Sequence, residues 1–455
     1  MSKPSQTKLF LGIDWGTHSS KWACASGDGG NYLKGMPIHR SELLCSNDEL
    51  TFSPSEDNAA KNEDLLVRSL KGVLIRDPMG ALFWDSPRVD TGTTLGEAVV
   101  FSLCCLLADA KRRIIGQLGT DKLPELEIGF SFPNWVVEHG RGPKIASKHF
   151  REAVAVAMEL FDQAPLGELP HIARSFPITR WKDIVKDSRN RAAVAQDRDL
   201  TVETIAQDSF RLADRSTSYR FMMESGAAGL PYLRALRIEE VPSLPGLAKL
   251  LVVDVGAGST DVGYMFRVRN IKTGHENFYF FHPASSLSVA GNELTEEIIR
   301  FNAARGRVLT YARAEAIKIQ EKKWTSLPFV DIWKKRICEH VREYICGVQD
   351  FRWLPSPVSL NIVLTGGSGL VPGLAEAIKG TVVAALETKE IPIEVLKKVV
   401  VRGDHLPKLS LGDEAEYARR AVCLGAADRD KPGFRYMDKM EAPLRVSIQQ
   451  TTRWV

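Results

Sequence analysis

Two stretches decide the reading of this chain: FLGIDWGTHSSKWA at residues 10–23 and LLVVDVGAGSTDVGYM at residues 250–265. In each, a short apolar run leads to an aspartate, Asp14 or Asp254, and then into a turn of small and hydroxyl residues. Apolar and β-branched residues follow the turn, so each stretch reads as strand, tight glycine turn, strand. Glycine lets the backbone take positive φ and approach a ligand closely. Successive N–H groups in such a turn form a concavity that favours an anion. The aspartate at the strand end suits a hard cation, magnesium held through its waters. A third turn, TGGSG at 365–369, closes the apolar run that starts at Asn361. The spacing fits neither GxxxxGK[ST] nor a GxGxxG opening a helix. Two aspartate turns and a GGS turn together point to nucleotide phosphates clamped between two similar lobes.

The rest of the chain fits a large globular protein. Its 455 residues correspond to about three domains, or two large lobes, at ~150 residues each. A hydrophobic share of 44% with 25% charged residues excludes a disordered or fibrous chain. The net charge of +4 gives no reason to make nucleic acid or an anionic membrane the main partner. The seven cysteines are odd in number, scattered and in no CxxC pair, which argues against a disulfide framework. The spacing of Cys338, His340 and Cys346 fits no zinc template. No apolar run reaches the length of a bilayer span, and the opening MSKPSQTK lacks an apolar leader core. The expectation is a reduced, cytoplasmic protein.

Between the two turns the periodicity predicts a helix over 95–115, a buried strand over 125–133 ended by Pro133, and an amphipathic helix over 149–161. Residues 162–220 are irregular and rich in arginine, and read as a helical insertion. There Trp181 stands among Arg180, Lys182 and Lys186, a grouping suited to anchoring a protein interface. Beyond the second turn, helices are expected over 291–303, 312–324 and 413–429. Residues 361–382 read as strand, glycine turn and helix, with Pro372 near the helix start. The end, 444–455, alternates apolar and polar residues as a strand or extended tail.

Five segments in order resemble the superfamily of actin, sugar kinases and heat-shock chaperones. Residues 10–21 resemble its first phosphate motif, and FSFPNWV at 130–136 its first connecting motif. MESGAAGL at 223–230 is similar to the second connecting segment, VVDVGAGSTDV at 252–262 to the second phosphate motif, and VLTGGSGLVPGL at 363–374 to the adenosine motif. Within the superfamily the chain most resembles the ATPase domain of the seventy-kilodalton heat-shock chaperones. RSLKGVL at 68–74 is similar to the segment carrying their catalytic lysine, and DEAEYARRAVCLGAA at 413–427 to their closing helix.

The resemblance spans roughly residues 9–428. It implies an α/β fold of two actin-like (ribonuclease-H-like) lobes around a nucleotide cleft that takes ATP or ADP with magnesium (Mg2+). The lobes divide as 1–230, with the arginine-rich insertion at about 162–220, and 231–428, followed by a tail at 429–455. By matching position, Asp14 and Asp254 organise magnesium and its waters, and Thr17 and Ser259 bind phosphate oxygens. Gly16, Gly256 and Gly258 permit backbone contact with the phosphates, and His18, Ala257 and Gly291 are further cofactor-binding positions that the resemblance implies. Lys71 offsets charge on the transferring phosphoryl group, and Glu224 positions water or metal. Gly366, Gly367 and Ser368 line the nucleoside pocket, with Glu315 and Lys318 reaching ribose or base. Where the chaperones sandwich adenine between two arginines, this chain has Ile319 and Leu370. Asp261 either works in the cleft or caps its turn, and Glu315 and Lys318, three apart on a helix, also suit a plain solvent ion pair.

The departures are specific. His18 stands where the chaperones carry a second hydroxyl residue, and Ala257 where they carry a glycine. The residues after Ala427 are too few for the family's peptide-binding sandwich and lid. The expectation is therefore an ATP-hydrolysing switch read by a separate protein partner, through the insertion, the tail or both. The alternatives are a small-molecule kinase, which needs a carboxylate base for its substrate hydroxyl, and a filament-forming actin relative.

Overall fold

The strand Leu9–Asp14 (β1) is buried at every position. That is what its apolar run requires of a strand lying in mid-sheet and covered on both faces. In this computed structural model it pairs antiparallel with β2 (Ser19–Ser26) on one side and parallel with β7 (Leu126–Phe132) on the other. The structure describes residues 8–26, 33, 36–61, 66–76, 83–85, 92–120, 123–132, 141–192, 210–211, 217–239, 246–269, 273–281, 284–320, 327–347, 359–391, 396, 399–401, 414–428 and 435–437. The chain divides into two compact units, Met1–Met222 and Met223–Val455. It is mixed α/β, with three sheets among the described residues.

In the first unit β3 is Ile38–Arg40, β4 Leu43–Ser46, β5 Glu49–Phe52, β6 Leu66–Val67, β8 Phe176–Pro177, β9 Phe210–Arg211 and β10 Thr217–Met223. The main sheet runs β3-β2-β1-β7-β10-β9, and a smaller one runs β6-β4-β5-β8. Two long helices, Leu95–Leu118 and Arg141–Gln163, contain the predicted 95–115 and 149–161 segments. A capping box starts the first: Thr94 Oγ1 accepts from the Glu97 N–H while the Glu97 carboxylate accepts from the Thr94 N–H. The Ile178–Ala192 helix of the insertion corrects one expectation. Trp181 is 1% exposed, donates from Nε1 to the Glu97 carbonyl, and meets Phe101 and Phe176 edge-on. It is a core residue and offers no surface to a partner.

In the second unit β11 is Gly246–Val255, β12 Thr260–Arg269, β13 Glu276–Phe281, β14 Ser285–Leu287, β15 Leu360–Thr365, β16 Val399–Val401 and β17 Arg435–Met437. The sheet runs β16-β15-β11-β12-β13-β17, with β14 beside β12. Strand β11 pairs antiparallel with β12 and parallel with β15, and β12 pairs antiparallel with β13. That is the pattern of β1 with β2 and β7, and of β2 with β3. Side chains alternate across the sheet. Leu251, Val253, Val262 and Tyr264 join Trp333, Ile337 and Val341 of the Pro328–Gly347 helix in one core. Leu250, Val252 and Met265 lie against Gly229 of the Glu224–Ala235 helix.

The Gly291–Ala303 helix matches its predicted segment and the Glu414–Ala426 helix falls within its own, while the Tyr311–Gln320 helix starts one residue before its segment and the Leu374–Glu387 helix after the third turn runs past the predicted end at 382. The predicted helical residues 321–324 lie outside the described residues, as do Pro133 to Val136 of the first connecting segment and the 444–455 tail. Nearer the end, Arg435–Met437 pairs parallel with β13 of its own unit. Among the described residues no helix is long and apolar enough to cross a membrane.

Candidate nucleotide site

The second unit draws most of the singled-out residues into one connected network. Asp254 is the last residue but one of β11, and its register partner on the parallel strand β15 is Thr365, whose Oγ1 donates to Asp254 Oδ1 at 2.9 Å. Gly366 follows with φ +78°, and a Cβ there would fall 2.4 Å from the Val255 carbonyl oxygen and 2.6 Å from Asp254 Oδ1. Only glycine allows the GGS turn to lie this close to the second aspartate turn. The Gly366 N–H donates to the Ala418 carbonyl, which ties the turn to the Glu414–Ala426 helix as well. Gly367 faces open space and Ser368 is buried.

The turn after Asp254 is held from the other side by the Gly291–Ala303 helix. Its first two N–H groups, of Gly291 and Asn292, donate to the carbonyls of Gly256 and Ala257 at 3.0 and 2.8 Å. Two of the donors that a helix N-terminus leaves unsatisfied are thereby used inside the protein. Gly291 also touches Ser368 and Lys318: a Cβ added to it would lie 2.0 Å from Ser368 Oγ and 2.9 Å from Lys318 Nζ. Ser259 donates from Oγ to Asp261 Oδ2 at 2.8 Å, so Asp261 helps order the turn. Gly256, Ala257, Gly258 and Ser259 themselves remain partly open to solvent.

Glu315 and Lys318 do pair with each other, but inside the protein. Lys318 is 1% exposed, and its Nζ donates to Glu315 Oε1 at 2.6 Å, Thr295 Oγ1 at 3.1 Å and the Gly291 carbonyl at 3.3 Å. Thr295 also donates to Glu315. Burial lowers the Lys318 pKa, against the opposing pull of the Glu315 charge and hydrogen bond. An ammonium has three protons, and these three acceptors match them. A ligand that takes a hydrogen bond from Lys318 must displace one of them. Leu370 is half-buried at the end of the third turn, and the side chain of Ile319 lies outside the described residues.

The first unit carries the other candidates. Asp14 ends β1 and is 4% exposed, and Gly16, Thr17 and His18 form a partly open turn after it. Lys21 Nζ donates to Asp14 Oδ2 at 2.8 Å from the facing position on β2. Lys71 is 4% exposed in the first turn of the Leu70–Arg76 helix, where Ser69 Oγ accepts from the Gly72 N–H. Its side chain is therefore not a solvated surface lysine. Glu224 opens the Glu224–Ala235 helix of the second unit and is 5% exposed.

Sequence reasoning passed over Lys21, Thr295 and Thr365. For Lys21 the signal is register: in a hairpin with Asp14 at the end of its first strand, Lys21 is the residue that comes opposite. For Thr365 it is a hydroxyl at the last strand position before GGS, and for Thr295 its place one helical turn after Gly291.

Asp254 and Asp261 offer hard oxygen donors at adjoining strand positions. Among the described residues no group of three or more His, Cys, Asp or Glu is gathered to hold a metal. That donor set fits magnesium, which keeps several waters and shares its ligands with phosphate, better than a metal needing an all-protein cage. No protein-family model matches the chain, and no curated protein matches it.

Proposed function

We propose that this chain is an ATP-binding and ATP-hydrolysing molecular switch of the heat-shock-chaperone type, built from two actin-like lobes with a nucleotide cleft and read by a separate protein. One observation carries the reading: segments at 254–261, 291–295, 315–318 and 365–368 converge on one network around the second aspartate turn. The matching strand pairings of the two units also support it. Asp14 and Asp254 would organise magnesium and its waters, and the ion would supply charge neutralisation at the phosphates. The turns at Gly16–His18 and Gly256–Ser259 would give backbone N–H groups to phosphate oxygens. Gly366, Gly367 and Ser368 would border the nucleoside. Lys71 would offset the charge that builds on the transferring phosphoryl group, and Glu224 would orient the attacking water. With Trp181 in the core, the partner would bind elsewhere, at another part of the insertion or the tail.

Calorimetric titration with ATP, ADP and GTP in magnesium, together with phosphate release, tests this. The expected result is binding of ATP and ADP and slow release of phosphate to water. Lys71→Met should bind ATP and turn over ~100-fold more slowly, since one such donor is typically worth ~3–4 kcal/mol. Absence of nucleotide binding by the folded chain sinks the reading. Phosphate delivered to a sugar rather than to water would make it a kinase, and ATP-dependent pelleting would make it a filament former.

A further inference from the structure

The strand ladders set three side chains in a row at the end of each aspartate hairpin. In the second unit the row is Asp261 on β12, Asp254 on β11 and Thr365 on β15. In the first unit Lys21 on β2 faces Asp14 on β1. The parallel ladder of β1 with β7 reaches Ile13 opposite Phe130, so the next positions, Asp14 and Ser131, fall side by side. Alternation along each strand puts the members of such a row on one face of the sheet. Each row therefore carries a hydroxyl beside its central aspartate, but the two hydroxyls are used differently. Thr365 Oγ1 donates to Asp254 Oδ1 at 2.9 Å. Ser131 is 1% exposed, and its Oγ has no hydrogen-bond partner among the described residues. A buried hydroxyl left unpaired is unfavourable, and native proteins keep few of them.

We propose that Ser131 is a positioning residue of the first turn: in the nucleotide complex its Oγ donates to the Asp14 carboxylate, as Thr365 donates to Asp254, and fixes that carboxylate's orientation. The register already sets the two residues side by side, so the bond needs only rotation of the serine and aspartate side chains between staggered rotamers. The inference rests on the nucleotide reading above and adds one residue to it. Ser131 acts through Asp14 and touches none of the reacting atoms. Its hydroxyl is unfavourable to the protein without nucleotide and favourable to the complex.

Two measurements on the full chain test this: calorimetric titration with ATP in magnesium, and the denaturant midpoint without nucleotide. Ser131→Ala should weaken ATP binding about three- to tenfold, the range for one hydrogen bond, and leave the midpoint unchanged or raised. Thr365→Ala, which removes a bond already made, should lower the midpoint. Ser131→Thr, which puts in the first row the residue that the second row holds, should keep the parent's affinity. Once Asp14→Ala has removed the acceptor, adding Ser131→Ala should cost no further affinity, which a merely structural role would not produce. The inference is overturned, and nucleotide binding left standing, by parent-like affinity in Ser131→Ala, by a midpoint lowered as far as in Thr365→Ala, or by additive losses in the Asp14→Ala pair. Failure of the parent chain to bind ATP overturns both.

Discussion

The β1–β2 and β11–β12 hairpins share strand order, pairing direction, a glycine two residues after the aspartate and the burial of each position, yet they solve the problem of a buried carboxylate differently. In the first, Asp14 meets an ammonium directly across the ladder. Opposite charges facing each other on paired strands are stabilising. In the second, Asp254 faces Asp261, an arrangement that is unfavourable by itself. Hydroxyls temper it: Thr365 donates to Asp254, and Ser259 to Asp261. A neutral donor lowers the cost of a carboxylate without removing its charge. The same backbone thus carries one turn whose carboxylate meets an ammonium and one whose two facing carboxylates meet hydroxyls.

The largest effect should come from removing charge from each turn in parallel. Asp254→Asn is expected to weaken MgATP binding about 100-fold, or ~2.7 kcal/mol, because it removes a carboxylate proposed to organise the ion and its waters. Asp14→Asn should weaken it less than about tenfold, since that carboxylate is already balanced by Lys21. Calorimetry in magnesium reads both. Equal losses in the two variants would erase the distinction between the turns.

Next comes the backbone. Gly16 and Gly256 occupy the same place in their turns, but a Cβ on Gly16 would sit 2.3 Å from the Ser19 carbonyl oxygen, against 3.2 Å from that of Ser259 for Gly256. Neither obstacle is a flexible side chain, so the backbone itself must give way at Gly16. Gly16→Ala should therefore cost about 2–3 kcal/mol of stability and Gly256→Ala about 1 kcal/mol. Denaturant unfolding of each variant measures this. A reversed order would mean that the first turn is the more forgiving of the two.

How much of this was legible in the sequence follows from where the information lies. The two hairpins, the GGS turn and the Gly291–Ala303 helix are local, so periodicity and turn chemistry expose them directly. The pairing of Lys21 with Asp14 needs the register, which local propensity leaves open. Trp181 shows the opposite failure. Its sequence neighbours Arg180 and Lys182 suggest a surface, but neighbours on a helix point to different faces. The residues that share its face are Ile178, Val185, Ser188 and Ala192, all buried. That spacing is the signature of a core stripe. For Lys318 only the Glu315 contact, three residues away on the same helix, could be read from the chain; its other two acceptors come from positions 291 and 295, and its burial is not local information.

The smallest effect concerns what stands behind each hairpin. On the far face of β2, Trp22 Nε1 donates to Asp109 Oδ2 at 2.9 Å, and His39 Nε2 lies 3.2 Å from the same oxygen. At β12 two neutral hydrogen bonds hold the strand: Thr260 Oγ1 donates to the Val289 carbonyl, and Tyr344 Oη accepts from the Tyr264 N–H. Burial by itself would raise the Asp109 pKa, but the hydrogen bonds from His39 and Trp22 and the charges of His39 and Arg113 outweigh it and hold the carboxyl below its usual 3.8. A carboxylate with a depressed pKa in the folded state adds stability above the unfolded value. That contribution is lost as pH falls through the folded value. The first unit should therefore lose support on acidification below about pH 4, the ordinary carboxylate range, through this Asp109 contact. Asp109→Asn should lower stability by about 1 kcal/mol near neutrality and flatten this acid-dependent loss. Thermal unfolding from neutral pH down to about pH 3 in parent and variant provides the comparison. Parallel curves would show that Asp109 contributes nothing pH-dependent.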